Sequence, residues 1–273
     1  MIAACLKWVD RRPEVDPITG IVHDDNRFAG ISDADQAALE WALRHAETTG
    51  HELTVVTAGP PEATGVLREA VACGASRAVR VDLAAGAPSP TVARALAAVV
   101  ASATIVWCGD YSLDRGSGSV PSFLAAELGV AQALGLVAVT LAEGVIEGLR
   151  RLDMGRRERV RLPDRAVLSV EGSTARLRRA PLSRTLSGRA APVDVVDGPP
   201  EVDGRVTTVR SRPYRPRARV LAAPVGSAHD RIASLTAAGT SVTGRTDPIV
   251  LDPAAAAARI LSALTAWGYR PQP

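Results

Sequence analysis

HELTVVTAGPPEATGVLREAVACGASRAVRV, residues 51–81, carries the pattern that decides the fold. Glu52–Ala58 is a short apolar run rich in β-branched residues, as expected of a strand covered on both faces. Gly59-Pro60-Pro61 ends it and opens a helix with proline in the first turn, where a missing N–H leaves no hydrogen bond unmade. Val66, Leu67, Ala70 and Val71 recur at helical spacing up to Gly74, and Ala78–Val81 is a second apolar run. Strand, helix and strand in so short a span predict two parallel strands joined by a helical crossover.

The same alternation extends in both directions. Ile2–Val9 reads as a buried strand that ends at the polar Asp10-Arg11-Arg12-Pro13. Asp16–Gly20 reads as a turn and Ile21–His23 as a short return strand. Ser32-Asp33-Ala34-Asp35 reads as a helix start: Ser32 is placed to cap the Asp35 N–H, and the two acids suit the positive end of the helix dipole. Ala38, Leu39, Ala42, Leu43 and Ala46 follow at helical spacing to Thr48-Thr49-Gly50. Downstream, Ser89–Ser102 is a helix with Pro90 in its first turn, and Thr104–Cys108 is a fourth strand. The fold class is α/β, a Rossmann-like, mostly parallel sheet flanked by helices. Ligands of such sheets sit at the carboxyl ends of the strands, so the loops after Leu6, Ala58 and Cys108 are the ones to inspect.

The 273 residues are 47% hydrophobic, enough for a sizeable core, but only 3% aromatic, so that core is aliphatic. No apolar run approaches the roughly 20 residues that span a bilayer. The apolar start lacks a basic leader and a small-residue cleavage site, which points to a cytoplasmic protein without direct membrane insertion. Cys5, Cys73 and Cys108 lie far apart within apolar segments, and His23, His45, His51 and His229 supply no ligand spacing with them. They read as buried thiols in a reducing compartment, with no metal site. The net charge is only +3, but arginines dominate Arg150–Arg219. That tract lacks interleaved aromatics, so it reads as a solvated basic surface and not as a nucleic-acid site.

After Cys108 the chain reads Gly109-Asp110-Tyr111-Ser112-Leu113-Asp114-Arg115-Gly116-Ser117-Gly118-Ser119-Val120, then enters a helix through Phe123, Leu124, Ala126 and Leu128 to Gly129. Gly116 and Gly118 allow close backbone approach, and Ser117 and Ser119 can donate hydroxyl hydrogen bonds. The free N–H groups of the helix start favour an anion such as phosphate. There is no GxxxxGK[ST] loop and no GxGxxG after the first strand. The Gly-x2-Gly-x9-Gly-Ser/Thr spacing of stand-alone universal-stress-type nucleotide binders, the alternative on this sheet, is not reproduced. Nor does Leu6–Asp10 resemble the Ser-Gly-Gly-x-Asp-Ser loop of ATP pyrophosphatases. No catalytic acid/base pair or nucleophile stands out.

Four stretches resemble the beta subunit of electron transfer flavoproteins: AACLKWVD; DQAALEWALRHAE with LTVVTAGP and LREAVACGASRAVRV; CGDYSLDRGSGSVPSFLAAELGVAQA; and RLPDRAVLSVEG continuing to RRAPLSRTLSGR. The resemblance runs from Met1 to about Gly188. It implies a sheet of the adenine nucleotide alpha hydrolase-like kind and a heterodimer with an alpha subunit that holds most of an FAD. It further implies AMP in the beta subunit and electron flow from a flavoprotein dehydrogenase towards a quinone-linked acceptor. It divides the chain into a nucleotide-binding domain, 1–190, and an extended C-terminal arm, 191–273, that packs on the partner. The nucleotide contacts it implies are Cys5, Ser32 to Asp35, Ala58 and Gly109 to Val120, with Leu182 as the leucine that anchors the dehydrogenase.

The departures from that family's pattern fall in the loop. Arg115 and Gly116 replace two of its acids, Asp114 keeps one, and Val120 replaces a hydroxyl. Arg115 either pairs with a phosphate or fills the site itself. Arg151 stands where a glutamate is usual. These differences point to a divergent member with its own partner, such as a mycofactocin-linked dehydrogenase cluster. In the C-terminal third, Val220–Val225 is the best apolar run. Asp252 and Pro253 start a helix whose Ile260, Leu261, Leu264 and Trp267 form an apolar stripe.

Overall fold

The computed structural model describes residues 1–23, 25–142, 145–200, 226–237 and 249–266. Strand β1 (Ile2–Cys5) is followed by four two-residue strands, β2 (Val9–Asp10), β3 (Glu14–Val15), β4 (Val22–His23) and β5 (Ala29–Gly30). These four form two small antiparallel ribbons, β2 with β5 and β3 with β4. The main alternation continues with α1 (Asp33–Thr49), β6 (Leu53–Gly59), α2 (Thr64–Cys73), β7 (Arg77–Asp82), α3 (Ser89–Val100), β8 (Ile105–Gly109) and α4 (Val120–Leu128). After it come β9 (Ala131–Ala142), β10 (Val145–Arg151), β11 (Arg157–Arg161), β12 (Ala166–Val170), α5 (Leu182–Gly188) and β13 (Asp194–Asp197).

Nine strands form one sheet in the order β11-β10-β9-β12-β8-β1-β6-β7-β13. From β9 through β13 in that order every pairing is parallel, while β10 and β11 add an antiparallel edge. The expected helices and parallel sheet are present, but the strand expected over Ile2–Val9 stops at Cys5, where the chain leaves the sheet, and Val9 instead pairs with Gly30 in the β2–β5 ribbon. The β9–β10–β11 extension and the outer strand β13 were not anticipated. The chain builds from β1 outward to β6 and β7, then crosses back to place β8 on the other side of β1. The reversal of winding therefore falls between β1 and β8, where an open α/β sheet leaves a crevice at its strand ends.

Alternate residues of each strand serve opposite faces. Ile2, Ala4, Leu53, Val55, Ile105 and Trp107 pack with α1 and α2, whereas Ala3, Cys5, Val56, Val79, Val106 and Cys108 pack with α3 and α4. Burying a large aliphatic side chain stabilises by roughly 1.5–3 kcal/mol, so two such layers account for continuous apolar runs with no polar face. Ser32 caps α1 as its sequence predicts, its Oγ accepting from the Asp35 N–H at 3.1 Å, and Gly50 ends the helix in the left-handed region.

Two polar clusters tie α1 to the rest of the unit. The Glu40 carboxylate accepts from the Arg178 backbone N–H at 3.1 Å, from Arg178 Nε at 3.0 Å and from Arg44 Nε at 2.8 Å. Trp41 and Trp107 stack with ring centroids 6.3 Å apart, and Trp107 Nε1 donates to His45 Nδ1 at 3.4 Å. Burial, with a smaller contribution from His51, pushes His45 down to about 4.

The described residues fall into two compact units, one ending before the stretch 201–225 and one beginning after it. The second contains α6 (Ala228–Ala237) and α7 (Pro253–Ala266). Asp252 caps α7 as expected, accepting from the Ala254 and Ala255 N–H groups at 3.0 Å. Ile260 and Leu261 of its apolar stripe are exposed. Trp267, and the Val220–Val225 run, lie outside the described residues.

Candidate functional site

A cavity of about 460 Å³ opens at the carboxyl ends of β1, β6 and β8, at the reversal point of the sheet. Its size falls in the roughly 300–1,000 Å³ range of small-molecule sites. Cys5, Ala58, Val92, Leu96 and Cys108 give it an apolar floor, and the loops after β1, β6, β7 and β8 form its walls.

The loop after β8 builds the upper wall. Its first residue, Gly109, lies against the start of α1, where a Cβ would come within 2.6 Å of Asp35 Oδ1. At its far end a Cβ on Gly118 would stand 1.8 Å from the Asp110 carbonyl oxygen, so only glycine allows the two limbs of the loop to meet. Between them the Ser112 N–H donates to the Ser117 carbonyl at 2.9 Å, and the Gly116 N–H to the Ser112 carbonyl at 2.8 Å. Gly116 takes a φ of +63°. The result is a closed turn that arches over the cavity.

Side chains pin this arch on two sides. Lys7 Nζ, from the loop after β1, donates to Asp114 Oδ2 at 2.7 Å and to Ser112 Oγ at 2.8 Å. Burial raises the Asp114 carboxyl, but hydrogen bonds from Lys7 and Ser112 outweigh it and hold the group below its ordinary value. On the other side Arg115 Nη2 donates to the carbonyls of Gly86, and of Ala87 at 2.9 Å, in the loop after β7.

Beneath the arch, Asp35 is buried in the first turn of α1 and accepts from the Lys7 backbone N–H at 3.2 Å. Burial pushes its carboxyl up to about 6, against the lowering effect of hydrogen bonds from Lys7, Ser32 and Gly109. Ser119, at the N-terminus of α4, has a helical and not an extended backbone and makes no side-chain cap; its hydroxyl donates to Ser89 Oγ at 3.1 Å. Of the first turn of α4, Val120 and Pro121 line the cavity; Pro121 has no N–H, and the Phe123 N–H is spent on the Ser119 carbonyl, so the backbone donor the helix start brings to the cavity lining is that of Val120. The cavity thus has an apolar floor, with the start of α4 and Arg115 at its wall.

Of the residues singled out in the sequence, Cys5, Ser32, Asp35, Ala58, Gly109, Tyr111 to Arg115 and Ser117 to Val120 line the cavity. Asp33, Ala34, Asp110 and Gly116 do not. Asp33 points outward to Arg11 at 3.2 Å, Ala34 supports Gly109 from behind, and Asp110 and Gly116 shape the arch. Leu182 lies apart from the cavity, 74% exposed at the start of α5. Sequence reasoning missed the loop after β7, which contributes carbonyls and not side chains. It also left Lys7 out of the site, although the lysine directly after the first strand was the available signal.

Comparison with known proteins agrees with this architecture. The electron transfer flavoprotein domain family matches residues 19–200. Protein FixA of Bradyrhizobium diazoefficiens is 32% identical over 208 residues, covering 70% of each chain. The electron transfer flavoprotein beta subunit of Clostridium acetobutylicum is 34% identical over 137 residues, 48% of this chain and 53% of the relative. That of Mycobacterium tuberculosis is 31% identical over 138 residues, 46% of this chain and 52% of the relative. The match thus spans about half the length of these two beta subunits. Among the described residues no helix is long and apolar enough to cross a membrane. With the family match covering most of the chain and the cavity lying where its loops converge, the chain belongs to the electron transfer flavoprotein beta family.

Proposed function

We propose that this chain is the beta subunit of a heterodimeric electron transfer flavoprotein in the cytoplasm, acting as a carrier subunit and not as an enzyme in its own right. It takes electrons from a flavoprotein dehydrogenase and passes them towards a quinone-linked acceptor. FAD, shared with and held mainly by an alpha subunit, supplies the redox chemistry when bound; the protein supplies position and electrostatics. The observation that carries this reading is the cavity at the reversal point of the sheet, closed over by the glycine-dependent arch after β8.

In that cavity we place AMP. The apolar floor around Ala58 and Leu96 suits a nucleobase, and the start of α4 suits a phosphate. The part of the 191–273 segment beyond β13, which itself belongs to the central sheet, is assigned as an arm packing on the alpha subunit, a reading favoured by the exposed Ile260 and Leu261 of α7. Leu182 and Leu186, exposed on one side of α5, suit the docking of the dehydrogenase.

Co-expression with an alpha-type subunit tests the proposal. A stable yellow complex with one FAD per heterodimer, releasing AMP on denaturation, is the expected result. Failure to form a flavin-containing complex with any alpha-type partner refutes it, and two FAD per heterodimer refutes the assignment of AMP.

A further inference from the structure

We propose that Arg115 is the anion receptor of the cavity. It fastens the arch in the free protein, and its guanidinium exchanges two backbone carbonyls for the phosphate of an entering nucleotide. The inference rests on the nucleotide reading above and adds to it a device that distinguishes a phosphorylated ligand from its nucleoside.

Among the described residues, Lys7 and Arg115 are the cationic side chains that line the cavity. Lys7 is committed: its ammonium meets both carboxylate oxygens of Asp114 and the hydroxyl of Ser112. An incoming phosphate would have to displace a carboxylate to engage it, trading one anion for another. Arg115 stands differently, since its hydrogen bonds go to the neutral carbonyls of Gly86 and Ala87. A hydrogen bond joining two charged groups is roughly twice as strong as one to a neutral acceptor. Gly86 is exposed and Ala87 partly so, and water can take over their carbonyls. Exchange of carbonyl for phosphate is therefore downhill for Arg115 and close to neutral for Lys7.

The other lining acids do not oppose this. Asp10 is occupied by the Arg12 N–H at 2.7 Å and the Asp25 N–H at 2.6 Å, and Asp35 is turned to the Lys7 backbone. Arg115 sits on the closed Ser112–Ser117 turn, which stays pinned to Lys7 through Asp114 when the Arg115 side releases. The arch then has one fixed and one exchangeable fastening. A nucleoside, which brings no anion, gains nothing from the exchange.

Calorimetric titration of the full chain with AMP and with adenosine, for the wild type, Arg115→Gln and Arg115→Lys, tests the proposal. A charge-assisted hydrogen bond contributes about 1.5–3 kcal/mol, so Arg115→Gln is expected to weaken AMP about 10- to 100-fold. Adenosine should change by no more than about twofold, and Arg115→Lys should recover part of the AMP affinity. An equal loss for both ligands would show that Arg115 only holds the arch, and unchanged AMP affinity would show that the phosphate is held elsewhere; either overturns the inference. A wild-type chain that binds neither ligand overturns the nucleotide reading itself, and the inference with it.

Discussion

Asp35 and His45 both lie on α1, and burial displaces them in opposite directions across the same pH range. Asp35 rises from 3.8 to about 6, and His45 falls from 6.5 to about 4. As pH falls from 6 towards 4, native Asp35 takes up a proton that the unfolded chain has not yet bound, so acidification stabilises the fold through this group. Over 6.5 to 4, the unfolded chain protonates its histidine while native His45 stays neutral, so acidification destabilises through that group. At 1.36 kcal/mol for each tenfold change, either displacement corresponds to about 3 kcal/mol. The two nearly cancel in the wild type, and removing one exposes the other. Asp35→Asn should lose about 3 kcal/mol of stability, relative to wild type, between pH 6.5 and 4, whereas His45→Gln should gain about as much. Urea unfolding followed by the fluorescence of the buried Trp41–Trp107 pair, at half-unit steps from pH 4 to 7, measures both slopes. The depressed carboxyls of Glu40 and Asp114 act in all three proteins alike and drop out of the differences. Parallel pH profiles for the two variants and the wild type would refute the assignment of these protonation states.

Three further outcomes follow from particular contacts. Gly118→Ala places a methyl group on the Asp110 carbonyl, so the arch must open; AMP affinity should fall at least about tenfold while the melting temperature drops by only a few degrees, and an unchanged titration would refute the need for glycine. Arg178→Ala leaves the buried Glu40 carboxylate with Arg44 as its remaining cation. It should cost about 2–3 kcal/mol by urea unfolding, less than the 3–5 typical of a broken buried pair because Arg44 stays, and adding Glu40→Gln should restore part of it. Cys5 and Cys108 are register partners on β1 and β8 at the cavity floor, whereas Cys73 lies on α2 outside it. AMP should therefore slow maleimide labelling of the first two, read by mass spectrometry, and leave Cys73 unchanged; equal protection of all three would place the ligand elsewhere.

The central sheet was legible because its residues obey one local rule each. The run Glu52–Ala58 can only be satisfied with both faces covered, and Ser32 three residues before Asp35 can only mark a helix start. The antiparallel edge was not legible for the same reason in reverse. Ala131–Ala142 is apolar apart from Gln132 and Thr140, without the polar–apolar alternation that separates a strand from a helix, and five of its twelve residues are exposed. The arginines beyond it read as a diffuse basic surface. In the fold Arg150 and Arg159 sit on the paired strands β10 and β11, Arg150 against Glu158 and Arg159 against Glu147, and Arg157, Arg159 and Arg161 give the outer strand β11 a charge that discourages edge-to-edge association.

The site divides along a similar line. Residues that act through a side chain on a strand-end loop, such as Ser112, Asp114 and Arg115, could be found from position alone. What could not be found is where each charge is spent. Asp35 reads as an acid suited to a helix dipole, yet burial leaves it half-way to being a neutral hydrogen-bonding group near pH 6. Asp114 and Lys7 are far apart in sequence and cancel each other only once β1 and β8 lie side by side. That cancellation is what gives Arg115 its significance. In a loop read as a string of residues it is one charge among several; in the fold it is the cation at the cavity whose bonds go to neutral carbonyls, and so the one that an anion can claim without displacing another.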